Sequence, residues 1–306
     1  MNTMKRRKNV IAAAALVAAI AALIMLVRGG ERVGTTETRR EDLYPVDTFT
    51  HAHGLAVDVA DPNRLYIATH HGIFVLRNEK DLYRVGKSRD DYMGFSLHPS
   101  DPNVMFSSGH PRKGGNFGFL RSKDRGFTWE KLSEGINGPV DFHEMAVSPV
   151  NSNLIYGWYE GTLQRSKDGG LRWEALNVGL PLPHFFVADP REEGALYALS
   201  IYGLYVSKDK GATWTKHGEA LSGIEATAFA IHPKEPRTMV AYFKKFGLMR
   251  SGDAGITWEK LDERFGGDPL FFIAFDPQRP EMIYALTATN AIYRSADGGE
   301  SWQKIR

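Results

Sequence analysis

The chain has 306 residues, with 38 Lys and Arg against 36 Asp and Glu, 31 Gly and no Cys. Without Cys there is no disulfide framework, no thiolate metal site and no Cys nucleophile. Lys5, Arg6, Arg7, Lys8 and Arg28 all fall in residues 1–28, which hold no acid; beyond them 33 basic residues face 36 acidic ones, a balance with no bulk electrostatic reason to bind nucleic acid.

Four basic residues, Lys5, Arg6, Arg7 and Lys8, stand just before an unbroken apolar run of 18, Val10 to Val27. As a helix that run would span roughly 27 Å, close to the hydrocarbon thickness of a bilayer. The positive-inside rule then places residues 1–9 in the cytoplasm and the rest of the chain outside it. Residues 1–28 therefore predict one N-terminal helix, a signal anchor that makes the protein single-pass in the cell membrane. A cleaved signal peptide, which would leave a secreted protein, is the alternative. The absence of Ala-x-Ala near the end of the run favours the anchor, whereas its eight Ala weaken the bilayer preference. Residues 29–42 are polar and without period, and read as a linker.

Residues 43–306 carry an internal repeat. SKDRGFTW ends at Trp129, SKDGGLRW at Trp173, SKDKGATW at Trp214, SGDAGITW at Trp258 and SADGGESW at Trp302. The Trp spacings are 44, 41, 44 and 44 residues. Around each motif stand short β-branched and aromatic runs divided by Gly, Pro and Asp turns, which read as four strands per unit. Four strands in about 40–45 residues is the size of a propeller blade. The predicted fold is all-β, a six-bladed β-propeller of four-stranded antiparallel blades. The blades begin near His51, Asp91, Asp141, Leu182, Glu225 and Pro269. The first lacks the motif but shares the body, HGLAVDVADPNRLYIATHHGIFVL against MGFSLHPSDPNVMFSSGHP. Residues 43–49 could add a strand to the last blade; the sequence leaves the closure of the ring open.

The motif resembles the Asp-box, or BNR, repeat of sialidases, other glycoside hydrolases, sortilin-type receptors and the photosystem II assembly factor. The whole chain is similar to small exported bacterial BNR-repeat proteins commonly labelled glycosyl hydrolase. The resemblance implies the fold far more strongly than it implies an activity.

The motif residues read as structural. Asp124, Asp168, Asp209, Asp253 and Asp297 can accept backbone N–H bonds inside a tight turn. The Gly three residues before each Trp supplies a position suited to positive φ, and the Trp ring is expected to be buried between blades. A calcium site would need more oxygens than one carboxylate per motif provides.

Antiparallel order puts the start of each innermost strand and the end of the second strand on the face away from the motifs. In the enzymes that the chain resembles, that is also the catalytic face. His53 there aligns with Met93, His143, His184, Thr227 and Phe271, and His51 with Asp91, Asp141, Leu182, Glu225 and Pro269. The ends of the second strands are His70, His110, Glu160, Ile201, Lys244 and Ala288. His51, His53, His70, His110, His143 and His184 thus converge on one rim. His98 and His232 fall at the opposite face. Imidazoles with carboxylates and no thiol suit a borderline divalent metal such as zinc, nickel or copper, and Met93 leans toward copper. Hydrogen bonding between blades, or a polar pocket for an organic ligand, would use the same histidines. A long Gly-rich insertion after His110, with Arg112 and Lys113, could cover the rim or grip an anion.

Two functions follow. One is an exported ligand-binding or assembly module for an unidentified protein or glycan partner. The other is a glycoside hydrolase using Asp91, Asp141, Glu144 or Glu160 as its carboxylate pair. A sialidase is disfavoured: no Arg stands at the innermost strand starts, and the Arg-Ile-Pro signature is missing.

Overall fold

The computed structural model describes residues 42–176, 185–218, 223–262 and 264–306. The predicted N-terminal helix, the linker up to residue 41, the blade start at Leu182 and His184 lie outside the described residues. Among the described residues, all 25 strands are antiparallel neighbours within six sheets. A short strand, β1 (Leu43–Pro45), precedes the first blade, which runs β2 (Ala52–Val57), β3 (Arg64–Thr69), β4 (Gly72–Arg77) and β5 (Asp81–Val85). The second blade is β6 (Asp91–Leu97), β7 (Met105–His110), β8 (Phe119–Ser122) and β9 (Glu130–Ser133), and the third β10 (Glu144–Val147), β11 (Ile155–Tyr159), β12 (Thr162–Ser166) and β13 (Glu174–Leu176). The fourth is β14 (Phe185–Ala188), β15 (Leu196–Ser200), β16 (Gly203–Ser207) and β17 (Thr215–His217). The fifth is β18 (Ala226–Ile231), β19 (Met239–Phe243), β20 (Gly247–Ser251) and β21 (Glu259–Asp262), and the last β22 (Leu270–Phe275), β23 (Ile283–Thr287), β24 (Ile292–Ser295) and β25 (Gln303–Lys304). The sequence repeat thus maps one unit to one blade.

Ring closure takes another route. Residues 43–45 do not join the last blade. They pair antiparallel with β5, Tyr44 opposite Arg84, and make the first blade five-stranded on its outer edge. β1 directly follows the linker and takes the outer edge of its own blade, and the last blade completes its four strands from the C-terminal residues. The first and last blades instead meet through side chains. Phe49, Leu65 and Phe74 share a core with Tyr284, Leu286 and Ile292. Glu79 binds Arg294 at 3.0 Å and accepts the Tyr284 hydroxyl at 3.0 Å.

The five motifs are built alike. The Ser hydroxyl accepts the Gly N–H four residues on at 2.7–2.9 Å. The Asp Oδ1 accepts a backbone N–H four residues on at 2.8–2.9 Å. The motif Gly has φ between +81° and +98°, a region that costs an L side chain strain. The Trp indole N–H donates to that Gly carbonyl. The rings pack on the core, but only Trp302 is buried; the other four remain half-exposed at the outer edge. Contact between blades includes Phe119 of the second blade, which is 0% exposed and meets the Trp173 ring of the third at 5.2 Å.

Candidate functional site

The innermost strands do not enter the rim as regular strands. His53 is the extra residue of a β-bulge, because Ala52 faces Thr69 while Gly54 faces Ala68. Thr227 and Phe271, its equivalents, are bulged too. A bulge re-aims the side chain it carries. In the fifth blade the Thr227 hydroxyl donates to the Leu270 carbonyl of the next blade at 2.6 Å. In the first blade the same position carries an imidazole pointed toward the next blade's Asp91, 3.7 Å away.

Around His53 the predicted residues converge. Its Nε2 lies 3.2 Å from either ring nitrogen of His70. The His51 ring stacks on His70 with centroids 5.2 Å apart. His70 Nδ1 donates to Asp91 Oδ2 at 2.6 Å. Burial, reinforced by the neighbouring His70 and His51, pushes His53 down to about 4, so its imidazole is neutral at physiological pH.

A second group sits one blade on. His110 Nε2 and His143 Nε2 lie 2.8 and 2.7 Å from the same oxygen, Asp141 Oδ2. That hydrogen bond raises His143. Asp141 is 5% exposed and its backbone neighbourhood is held by a buried serine: Ser108 Oγ accepts the Phe142 N–H at 3.0 Å and donates to the Gly118 carbonyl at 2.9 Å. The predicted insertion folds over this group. His110 Nδ1 donates to the Gly115 carbonyl at 3.1 Å, and Asn116 donates to the Pro139 carbonyl and to the Tyr159 hydroxyl.

In each group three donor atoms lie within 4.8 Å of one another: His51, His53 and His70 in one, His110, Asp141 and His143 in the other. The remaining carboxylate oxygens, Asp91 Oδ1 and Asp141 Oδ1, are buried without a hydrogen-bond partner among the described residues. A buried acceptor left unpaired is costly, and a cation is one complement to it. The donor set, imidazole nitrogen and carboxylate oxygen, fits a borderline divalent metal.

Sequence reasoning placed Asp91 and Asp141 near the imidazoles as carboxylates of the rim, and gave them a role of their own only in hydrolysis. Their pairing with the histidines of the preceding blade was legible only once the ring was assembled. Glu144, next to His143 on β10, is half-buried, and desolvation raises its carboxyl to about 8. Glu160 is exposed in the turn after β11 at φ +46°. Met93 is buried, on β6. His98 and His232 are turn residues: their Nδ1 atoms accept the Asp101 and Glu235 N–H groups at 3.0 and 2.9 Å, as Asp58 Oδ1 accepts Ala60 in the first blade.

Residues 203–305 match the family described as photosynthesis system II assembly factor YCF48. The described fold is matched over 83–86% of the chain by solved propellers. The chain folds as a six-bladed β-propeller, and its residues 203–305 are similar to that family. Against this propeller, the GH74 xyloglucanase from Xanthomonas campestris is 20% identical with a TM-score of 0.57. This propeller spans 45% of that enzyme's length. YCF48 from Cyanidioschyzon merolae is 19% identical, with a TM-score of 0.53, and 88% of its length is covered. YCF48 bound to D1 peptide is 16% identical, with a TM-score of 0.54 over 86% of this chain and 85% of that one. At these identities the likeness is one of fold. No curated protein matches the sequence.

Proposed function

We propose that the chain is an exported, membrane-anchored propeller that acts as a ligand-binding or assembly module. Its rim groups hold a divalent metal, zinc, copper or nickel, and through it engage a protein or glycan ligand. The observation that carries this reading is the pairing of two three-donor groups with two buried, unpartnered carboxylate oxygens on the face away from the motifs. The apolar run Val10 to Val27 supports the anchor. YCF48, a propeller of nearly the same span, binds a peptide, which supports a binding role. His53, His51 and His70 would ligate in one group, and His110, His143 and Asp141 in the other; a metal there supplies a Lewis-acidic contact for a ligand oxygen or nitrogen.

The test is calorimetric titration of the full chain with zinc and copper. Saturable binding that disappears in the His53→Ala/His143→Ala double variant, with circular dichroism unchanged, supports the reading. Equal binding in the variant overturns it.

One observation favours a second reading. Glu144 carries a carboxyl raised to about 8, and a protonated acid at neutral pH is what glycoside hydrolysis requires. The GH74 likeness is consistent with this. Release of reducing sugar from xyloglucan, abolished by Glu144→Gln, would establish hydrolysis. No release by the wild-type chain would remove this reading for that substrate.

A further inference from the structure

Next to the histidine groups, over the outer part of the first blade, lies a separate cleft of about 320 Å³. Its lining includes Phe49 and Phe74, and its polar side chains are Thr48, Thr50, His71, Arg84, Arg89 and Arg112. The three arginines come from three places. Arg84 is on β5, Arg89 is in the loop that leads to β6, and Arg112 is in the insertion after β7.

The cleft is built rather than incidental. The extra strand β1 sets Tyr44 directly opposite Arg84, and the Arg84 guanidinium lies 5.0 Å over the Tyr44 ring. That contact holds the fork in one orientation. Asp90 fixes the insertion by accepting the Arg112 backbone N–H at 3.0 Å, while its other oxygen takes the Ser88 hydroxyl at 2.8 Å. Asp90 is thereby committed to the loop backbone. Among the described residues no carboxylate lies within ion-pair distance of the Arg84, Arg89 or Arg112 guanidinium. Arg84 Nε is buried with no acceptor among the described residues. Burial and the nearby Arg89 charge lower Arg84 from its ordinary value, the mark of cations gathered without a counter-charge.

Like charges converging on one cleft, with a donor left unpaired, define what is missing. A planar guanidinium fork offers parallel N–H donors that match the oxygens of a carboxylate or a phosphoryl group. The volume suits a small organic ligand. We propose that this cleft is an oxyanion-binding site, taking the carboxylate or phosphoryl group of a small ligand between Arg84, Arg89 and Arg112. The cleft lies outside residues 203–305 and shares no residue with the proposed metal groups. It therefore stands or falls separately from the metal reading.

The test is calorimetric titration of the full chain at low ionic strength, after metal has been stripped by a chelator and the chelator dialysed away, so that neither a metal nor a chelator carboxylate can interfere. Inorganic phosphate and acetate are the two probes. Saturation by phosphate alone identifies a phosphoryl site, and saturation by acetate alone a carboxylate site. Either should weaken about tenfold or more in Arg112→Gln and in Arg84→Gln, because each removes a charge-assisted contact. Arg112 is exposed on a loop, so its variant keeps the sheet intact and decides the matter if Arg84→Gln disturbs β5. Lys113→Gln, one residue along and not part of the lining, should bind within about twofold of wild type, since a screened surface charge contributes little. Failure of both probes to saturate, unchanged binding in Arg112→Gln, or an equal loss in Lys113→Gln overturns the proposal.

Discussion

His110 ends the second strand of the second blade and reaches Asp141, at the entry to the third, with a separation of 2.8 Å. His70 makes the same step from the first blade to Asp91 of the second, at 2.6 Å. One relationship, repeated by the blade symmetry, thus ties three consecutive blades together at the rim and assembles both donor groups. The predicted histidine convergence is an arrangement of imidazoles between blades, each with a carboxylate from the next blade.

Asp141 serves two imidazoles from within the protein, so it should be structurally important even without a ligand. Asp141→Asn replaces a charged acceptor by a neutral one in a buried position. We expect a loss of about 1–3 kcal/mol, the usual range for hydrogen bonds to a charged group. Urea unfolding of the metal-free protein measures it. A loss below about 0.5 kcal/mol would mean that the imidazoles find other acceptors.

Ser108 is 0% exposed and links the insertion, its own blade and the Phe142 N–H. Ser108→Ala leaves that N–H without its acceptor. The expected destabilisation is about 1–3 kcal/mol. Amide hydrogen exchange should rise locally, in residues 111–118 and 140–143. Faster exchange across all blades would assign Ser108 a global role instead.

Gly109 has φ +117°, and a Cβ there would lie 2.2 Å from the Asp91 carbonyl oxygen. The obstacle is backbone, which cannot swing aside. Gly109→Ala should cost more than about 1 kcal/mol and displace Asp91 from His70. Thermal unfolding gives the first result. The second appears as a change in the His70 imidazole resonances; unchanged resonances would show that the strand absorbs the methyl group elsewhere.

The Asp-box carboxylates set an acid limit. Asp253 is lowered to about 2 by the Thr257 hydroxyl and backbone N–H, and Asp297 to about 2 by the corresponding groups of Ser301. A carboxyl depressed from 3.8 in the folded state binds fewer protons there than in the unfolded chain. Its contribution is complete above about pH 4 and is lost as the pH falls toward 2. The melting temperature should therefore fall across that window, and the Asp253→Asn variant should show a shallower fall. An identical slope in the variant would detach the boxes from acid stability.

Much of this architecture could be read from the chain. The Trp129-to-Trp302 spacing gave the blade number, and the alignment on the Pro turns placed the observed strand starts within three residues of His51, Asp91, Asp141, Glu225 and Pro269. The motif chemistry followed because its hydrogen bonds are local, spanning four residues. What escaped was non-local. Nothing in Leu43–Pro45 says which blade edge it will meet, since three residues carry too little pattern to choose a partner. The bulge at His53 has no marker beyond Gly54, whose added Cβ would lie 2.8 Å from the Phe95 side chain. Arg84 and Arg89 were unremarked because their convergence with Arg112 depends on β1 and on the folded insertion. Four Trp rings stay half-exposed because the motif sits at the outer edge of each blade, where no layer lies beyond it.

The most direct measurement is an anomalous-scattering map from crystals of the full chain soaked in zinc, collected on both sides of the zinc edge. The account predicts a peak about 2.0–2.2 Å from nitrogens or oxygens of at least three of His51, His53, His70, Asp91, His110, Asp141 and His143. A map with no peak on this rim, or with peaks only at exposed side chains elsewhere, would contradict it.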